Sequence, residues 1–118
     1  MKLVLFNDYR LGVLQNGNVV DAMAALEGSH FHKPQDLMEE VIVGWDRLKP
    51  KIGAAIQGKD GVSIDSVTLR APVPRPPKIL CAAVNYLEFN KRKPAILDAF
   101  LKAPNAVIST GETCVLPP

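Results

Sequence analysis

Between Lys2 and Ala22 the apolar positions fall in short runs, "KLVLF", "LGVL" and "VVDA", with the polar stretch "QNGN" between the last two. Runs of this length bounded by turn formers are strand-sized. Asn16-Gly17 is the strongest short-range hairpin signal, because both positions tolerate positive φ. Residues 2–22 therefore read as a β-hairpin or small meander. From Pro34 the period changes. Leu37, Val41, Trp45, Leu48, Ile52 and Ile56 recur at spacings of three and four, which marks one face of a helix. Trp45, Met38 and Leu48 are expected in the core. Pro34 suits a first helical turn and Gly58 a stop. Pro50 lacks the amide donor and crowds the turn before it, so the pattern predicts a helix broken or kinked near Pro50.

The stretch "VSIDSVTL" alternates over Val62, Ile64, Val67 and Leu69, as a half-buried strand with a bulge or bend would. "APVPRPP", residues 71–77, then forces extended geometry and removes ladder donors. It marks a linker between a complete-looking unit, residues 1–70, and a second unit, 78–118, that opens with the strand "KILCAAV". The rest of that unit suggests a turn of helix around "PAILDAF", a strand at "NAVIS", a turn at "TGE" and a last strand at "TCVLPP". Three strands and one helical turn cannot close a core. The expected class is α+β, a small complete domain joined to the beginning of a larger one.

Composition narrows the function. At 47% hydrophobic and 22% charged residues, the 118-residue chain is a folded protein rather than a disordered one. A net charge of +2, with Lys91-Arg92-Lys93 as the tight basic run, argues against nucleic acid and anionic membranes as partners. The apolar start is too short for a signal sequence and no stretch reaches the length of a membrane span, so the expected location is the cytoplasm. Cys81 and Cys114 lie in apolar stretches without a second cysteine at metal or redox spacing, and are expected as small buried hydrophobes.

Several residues could carry chemistry. His30 and His32 form an H-x-H pair, but no third histidine accompanies them and a metal site needs three protein ligands or more, so a solvated loop is the better account. Asp36, Glu39 and Glu40 sit in the first turns of the helix, where the helix dipole favours negative charge. "PVPRPP" fits a proline-rich ligand as well as a linker, and linkers are the commoner use. Asn85 and Tyr86 end a strand, where a substrate can reach them. Lys102, after another apolar stretch, is a cation suited to a carboxylate.

The order of "RLGVLQNGNVVDA", "VTLRAPVPRPPKILCAAVNY" and "FLKAPNAVISTGETCVLPP" resembles the N-terminal part of the fumarylacetoacetate hydrolase family. The resemblance covers the chain apart from its central helical stretch. It implies a small N-terminal β-hairpin and helix domain followed by the first strands of a mixed β-roll catalytic domain, within a homodimeric parent of roughly twice the length. Such enzymes hold magnesium or manganese on a Glu-x-Glu pair and a further Asp. They bind a 2-oxo acid or 1,3-dicarbonyl and act as hydrolases, lyases (decarboxylases included) or isomerases, the metal stabilising an enolate. Those ligands would follow Pro118, so no metal or other cofactor is expected in this chain, and the substrate only when the C-terminal half is present.

The family's hydrolases typically continue Asn-Tyr-x-x-His-x-x-Glu, in which the His, oriented by the Glu, takes a proton from the attacking water. Here Phe89 and Arg92 occupy those two positions. Neither is a general base at neutral pH. The segment 85–100 is also a few residues shorter than usual, which implies a smaller lid. The resemblance thus assigns substrate contacts to Asn85, Tyr86 and Lys102, no catalytic dyad, and an isolated chain without activity. The rival expectation is a non-catalytic interaction or assembly module, or a truncated remnant.

Overall fold

The computed structural model describes residues 1–83 and 98–116. The chain forms two compact units, one made of Met1–Pro74 with Ile108–Pro118 and the other of Arg75–Val107. In the first unit β1 (Lys2–Phe6), β2 (Arg10–Gln15) and β3 (Asn18–Asp21) form the expected meander, each strand antiparallel to the next. Asn16 (φ 49°) and Gly17 (φ 81°) make the tight turn between β2 and β3 with both residues left-handed, as their type predicts. Asp21 ends β3 by taking the Met23 N–H on Oδ1 and Arg10 Nε on Oδ2, at 2.9 and 2.5 Å.

Two short strands complete this sheet in the order β4-β3-β2-β1-β5, with β4 at Val62–Ser63 and β5 at Leu69–Arg70. The single half-buried strand expected over "VSIDSVTL" is therefore split by a 3-10 turn at Ile64–Ser66. The cause is local: Ser63 Oγ accepts the Asp65 N–H, and Ser66 Oγ donates to the Ser63 carbonyl, which competes with strand pairing. The segment thereby crosses from one edge of the sheet to the other. In a flat sheet four strand spacings would separate β4 from β5 by roughly 19 Å. Residues 64–68, partly wound in the turn, reach about 17 Å at most. The sheet is accordingly curled, which draws its edges together. Asn7, in the β1–β2 turn, holds β5 in place by exchanging bonds with Thr68 and by accepting Arg70 Nε on its carbonyl at 2.8 Å.

Helix α1 (Pro34–Val43) starts with Pro34 in its first turn and Asp36 accepting the Lys33 N–H at 3.1 Å. Helix α2 (Trp45–Ile56) follows, with Gly58 just beyond its end. The break expected near Pro50 lies instead at Gly44, and Pro50 is inside α2. At Gly44 a Cβ would sit 2.9 Å from the Glu40 carbonyl oxygen, so the tight junction between the helices requires a residue without a side chain. Leu37, Val41, Leu48, Ile52 and Ile56 are buried against Leu5, Leu11, Val13 and Val20 of the sheet, with Trp45 packed at the margin. The helical face read from the sequence is thus the face that meets the sheet. Among the described residues no helix is long and apolar enough to cross a membrane.

The second unit holds β6 (Ile79–Ala83) and β7 (Asp98–Lys102), paired antiparallel. Asp98–Phe100, expected in a helical turn, are thus strand, because the cross-strand partners of β6 fix them as extended backbone. "NAVIS" and the described part of "TCVLPP" are not strands: a 3-10 turn covers Pro104–Ala106 and the chain from Val107 to Leu116 has no ladder partner among the described residues. The expected turn at "TGE" is present, closed by Glu112 N–H donating to the Ser109 carbonyl at 3.2 Å. The architecture is α+β, a curled antiparallel sheet with two helices followed by a partial roll.

Candidate functional site

The β6–β7 ribbon carries the sequence stretch singled out for chemistry. Its register pairs Ile79 with Lys102, Leu80 with Leu101, Cys81 with Phe100, Ala82 with Ala99 and Ala83 with Asp98. Because cross-strand partners share a face and successive residues alternate, Leu80, Ala82, Ala99 and Leu101 make one wholly apolar face. It is open to solvent, with Leu80 72% and Leu101 69% exposed. The opposite face carries Ile79, Cys81 and Ala83, all half-buried, together with Asp98, Phe100 and Lys102. Two strands alone are marginal in water, and a bare apolar face of this kind calls for a cover.

Lys102 lies at the last position of β7, exposed, as a solvated cation able to meet a carboxylate. It stands opposite Ile79, at the far end of the ribbon from Ala83, where the chain leaves β6 towards Asn85. Asp98, opposite Ala83, is the charged residue at that nearer end, about 13 Å along the strand from Lys102. Asn85, Tyr86, Phe89 and Arg92 lie outside the described residues. The structure therefore places one of the three expected substrate contacts, Lys102. Asp98, in a stretch read as a helical turn, lies on strand β7 opposite Ala83.

The other candidates resolve as follows. His30 and His32 are exposed in the loop before α1. His30 borders a shallow cleft with Phe31, Asp36, Glu39, Glu40 and Val43. Its carboxylates are engaged, Asp36 by the Lys33 N–H, Glu39 by Gln35 and Glu40 by Arg47. Among the described residues no group of three or more His, Cys, Asp or Glu side chains is arranged to hold a metal ion. Cys81 is half-buried, whereas Cys114 is exposed, contrary to its expected burial, and the stretch that holds it has no strand partner among the described residues.

One polar cluster was not foreseen. Ser109 is buried, and its Oγ accepts the Ala71 N–H at 3.1 Å. Its own N–H donates to Glu112 Oε2 at 2.8 Å. This bond, with a second from the Ser109 hydroxyl and the nearby Arg70 charge, holds the Glu112 carboxyl below its ordinary range. Arg70 itself is fixed by the Asn7 carbonyl and lies over the Tyr9 ring, 5.4 Å from its centre. The S-x-x-E spacing of "STGE" is the signal that could have pointed to it.

No family model matches the chain. Among curated proteins it is similar to a maleylpyruvate hydrolase of Aquipseudomonas alcaligenes, 32% identical over 87 residues, which is 73% of this chain and 30% of the relative. Among solved structures it resembles the maleylpyruvate hydrolase of Sphingobium sp. SYK-6 in complex with manganese(II) and pyruvate, with 31% identity and a TM-score of 0.73, covering 92% of this chain and 39% of that one. A second structure of the Sphingobium enzyme gives 28% identity and a TM-score of 0.71, over 92% of this chain and 40% of that one. The chain thus spans between 30% and 40% of the length of these relatives.

Proposed function

The chain belongs to the fumarylacetoacetate hydrolase family, and on that premise we propose that it supplies the N-terminal domain and the opening of the catalytic domain of a metal-dependent enzyme acting on a small 2-oxo acid or 1,3-dicarbonyl. In this account residues 1–70 are the small domain, 71–77 the linker and 78–118 the first segment of the catalytic roll. The working enzyme is a cytoplasmic homodimer. The chain by itself is inactive.

The observation that carries the proposal is the open apolar face of Leu80, Ala82, Ala99 and Leu101. A ribbon of this kind is stable only as part of a larger sheet or under a cover. The relatives, more than twice as long, have further chain to provide one. The Sphingobium relative was solved with manganese and pyruvate, which supports a divalent ion and a 2-oxo acid for the parent. In this account the oxygen ligands that a hard divalent ion needs come from the remainder of the enzyme.

Within this enzyme the chain's own part is recognition. Lys102 meets the substrate carboxylate as a point charge, while Asn85 and Tyr86 offer an amide and a phenol as hydrogen-bond partners for its oxygens. Phe89 and Arg92, at the positions of the family's proton-accepting pair, leave no base to activate water. Decarboxylation, isomerisation or another lyase step is therefore favoured over hydrolysis.

The test is a fusion of this chain to the C-terminal remainder of the Sphingobium enzyme. Calorimetry should find manganese and pyruvate binding in the fusion and neither in the chain alone. The unmodified fusion should hydrolyse an acylpyruvate slowly. Phe89→His with Arg92→Glu should raise that rate, toward the roughly hundredfold gain typical of a placed general base. Efficient hydrolysis by the unmodified fusion would show that another group supplies the base and would overturn this assignment.

A further inference from the structure

The chain departs from the first unit after Pro74 and rejoins it at Ile108, and the two ends of that excursion are joined by a hydrogen bond between residues 38 positions apart, Ala71 N–H to Ser109 Oγ. Ser109 is in turn gripped by Glu112, whose Oε2 accepts its N–H at 2.8 Å. A bond to an ionised acceptor is stronger than a neutral one. Both bonds pass through one residue, Ser109.

Little else described attaches this stretch. Ile108 is 49%, Val115 85% and Leu116 78% exposed, so its apolar side chains contribute little burial. The core of the first unit is built from Leu5 to Ile56 with Val73 at its margin, and draws no residue from 108–116. Removal of this stretch would expose none of the helix–sheet contact. Segments with few buried apolar contacts open at a lower free energy than the fold as a whole.

We propose that the Ser109–Glu112 turn is a clasp able to open on its own. Closed, it secures both ends of the excursion that carries the β6–β7 ribbon. Open, it frees residues 107–116 as a strap while β1–β5 and both helices stay folded. Arg70, anchored on the Asn7 carbonyl and the Tyr9 ring, is a fixed positive charge near the Glu112 carboxylate.

Amide hydrogen exchange by NMR on the full chain tests this. In Ser109→Ala and in Glu112→Ala, the Ala71 amide should exchange about tenfold faster or more, the effect of losing one charge-supported bond network. In Glu112→Ala the Ser109 amide should accelerate with it. Amides of Val13, Val20, Val41 and Ile52 should change by less than about twofold. In the unaltered chain, low urea should leave Ala71 and Ser109 exchanging through an opening nearly independent of denaturant, and the core amides through one that depends on it steeply. Unchanged Ala71 exchange in both variants would overturn the clasp. So would acceleration of the core amides in step with Ala71, or failure of either variant to fold, since each would make the strap part of the global fold.

Discussion

Replacing Leu80 and Leu101 together by Thr separates a face that is finished from one that awaits a cover. Thr keeps strand preference, so the change acts on apolar burial rather than on the ribbon's backbone. Complete burial of a leucine side chain contributes about 1.5–3 kcal/mol. With Leu80 72% and Leu101 69% exposed, less than a third of that is realised in this chain. The pair should therefore cost the isolated chain less than about 2 kcal/mol in urea unfolding. If the relatives' remaining length covers this face, the unrealised two thirds, about 1–2 kcal/mol per leucine, is released on assembly. Association of this chain with the separately produced C-terminal remainder of the Sphingobium enzyme, measured by calorimetry, should then weaken by roughly thirtyfold to a thousandfold in the double variant. Unchanged association, or a loss of stability in the isolated chain as large as the loss in association, would refute the inference that this face is built to be covered.

Gly61→Ala should destabilise the chain by about 2 kcal/mol or more in urea unfolding, because Gly61 has φ +73° and an added Cβ would lie 2.5 Å from the Val19 carbonyl oxygen. A change within about 0.5 kcal/mol would contradict that contact. Pro50→Ala should raise the thermal midpoint, by an amount corresponding to roughly 1–2 kcal/mol, since Pro50 lies inside α2 and the substitution restores a helical donor; a lower midpoint would mean that the proline is needed for the helix path. Because the Glu112 carboxyl titrates below its ordinary range, the stability it contributes is present above that range and is lost as pH falls through the lowered folded value. An NMR titration following the Ser109 amide should show a midpoint below the ordinary carboxylate value, absent in Glu112→Gln, and a midpoint at or above it would contradict the bond.

The first unit was legible because its signals are local and periodic. Asn16-Gly17 dictates one turn, and the spacing from Leu37 to Ile56 can bury only one helix face. Pro50 misled because its missing donor and its crowding of the preceding turn did not end the helix, whereas the tight junction at Gly44 marks where one helix gives way to the next. "VSIDSVTL" alternates like one strand, yet serine hydroxyls bonded to neighbouring backbone groups, which hydrophobic pattern does not encode, divide it between two edges of a sheet. Asp98–Lys102 form a strand only through their partner β6, a long-range fact with no local signature. Of the candidate site, Lys102 lies at the end of a strand whose extent depends on pairing with β6, while the Ser109–Glu112 cluster depends on Ala71 arriving from a distant part of the chain.

The placement of β5 also dictates an order of assembly. β1, β2 and β3 are joined by tight turns and can pair as soon as they are made. β5 pairs with β1 through residues as far apart as Asn7 and Thr68, separated by 61 positions, and closing so long a loop is slow beside a local hairpin. On a ribosome, where the N-terminal part is released first, the meander waits for both helices to be synthesised before its last strand arrives. Until then Leu5 and Phe6 border an unpaired edge, and this interval before closure is when the nascent chain is most open to pairing with a neighbouring copy.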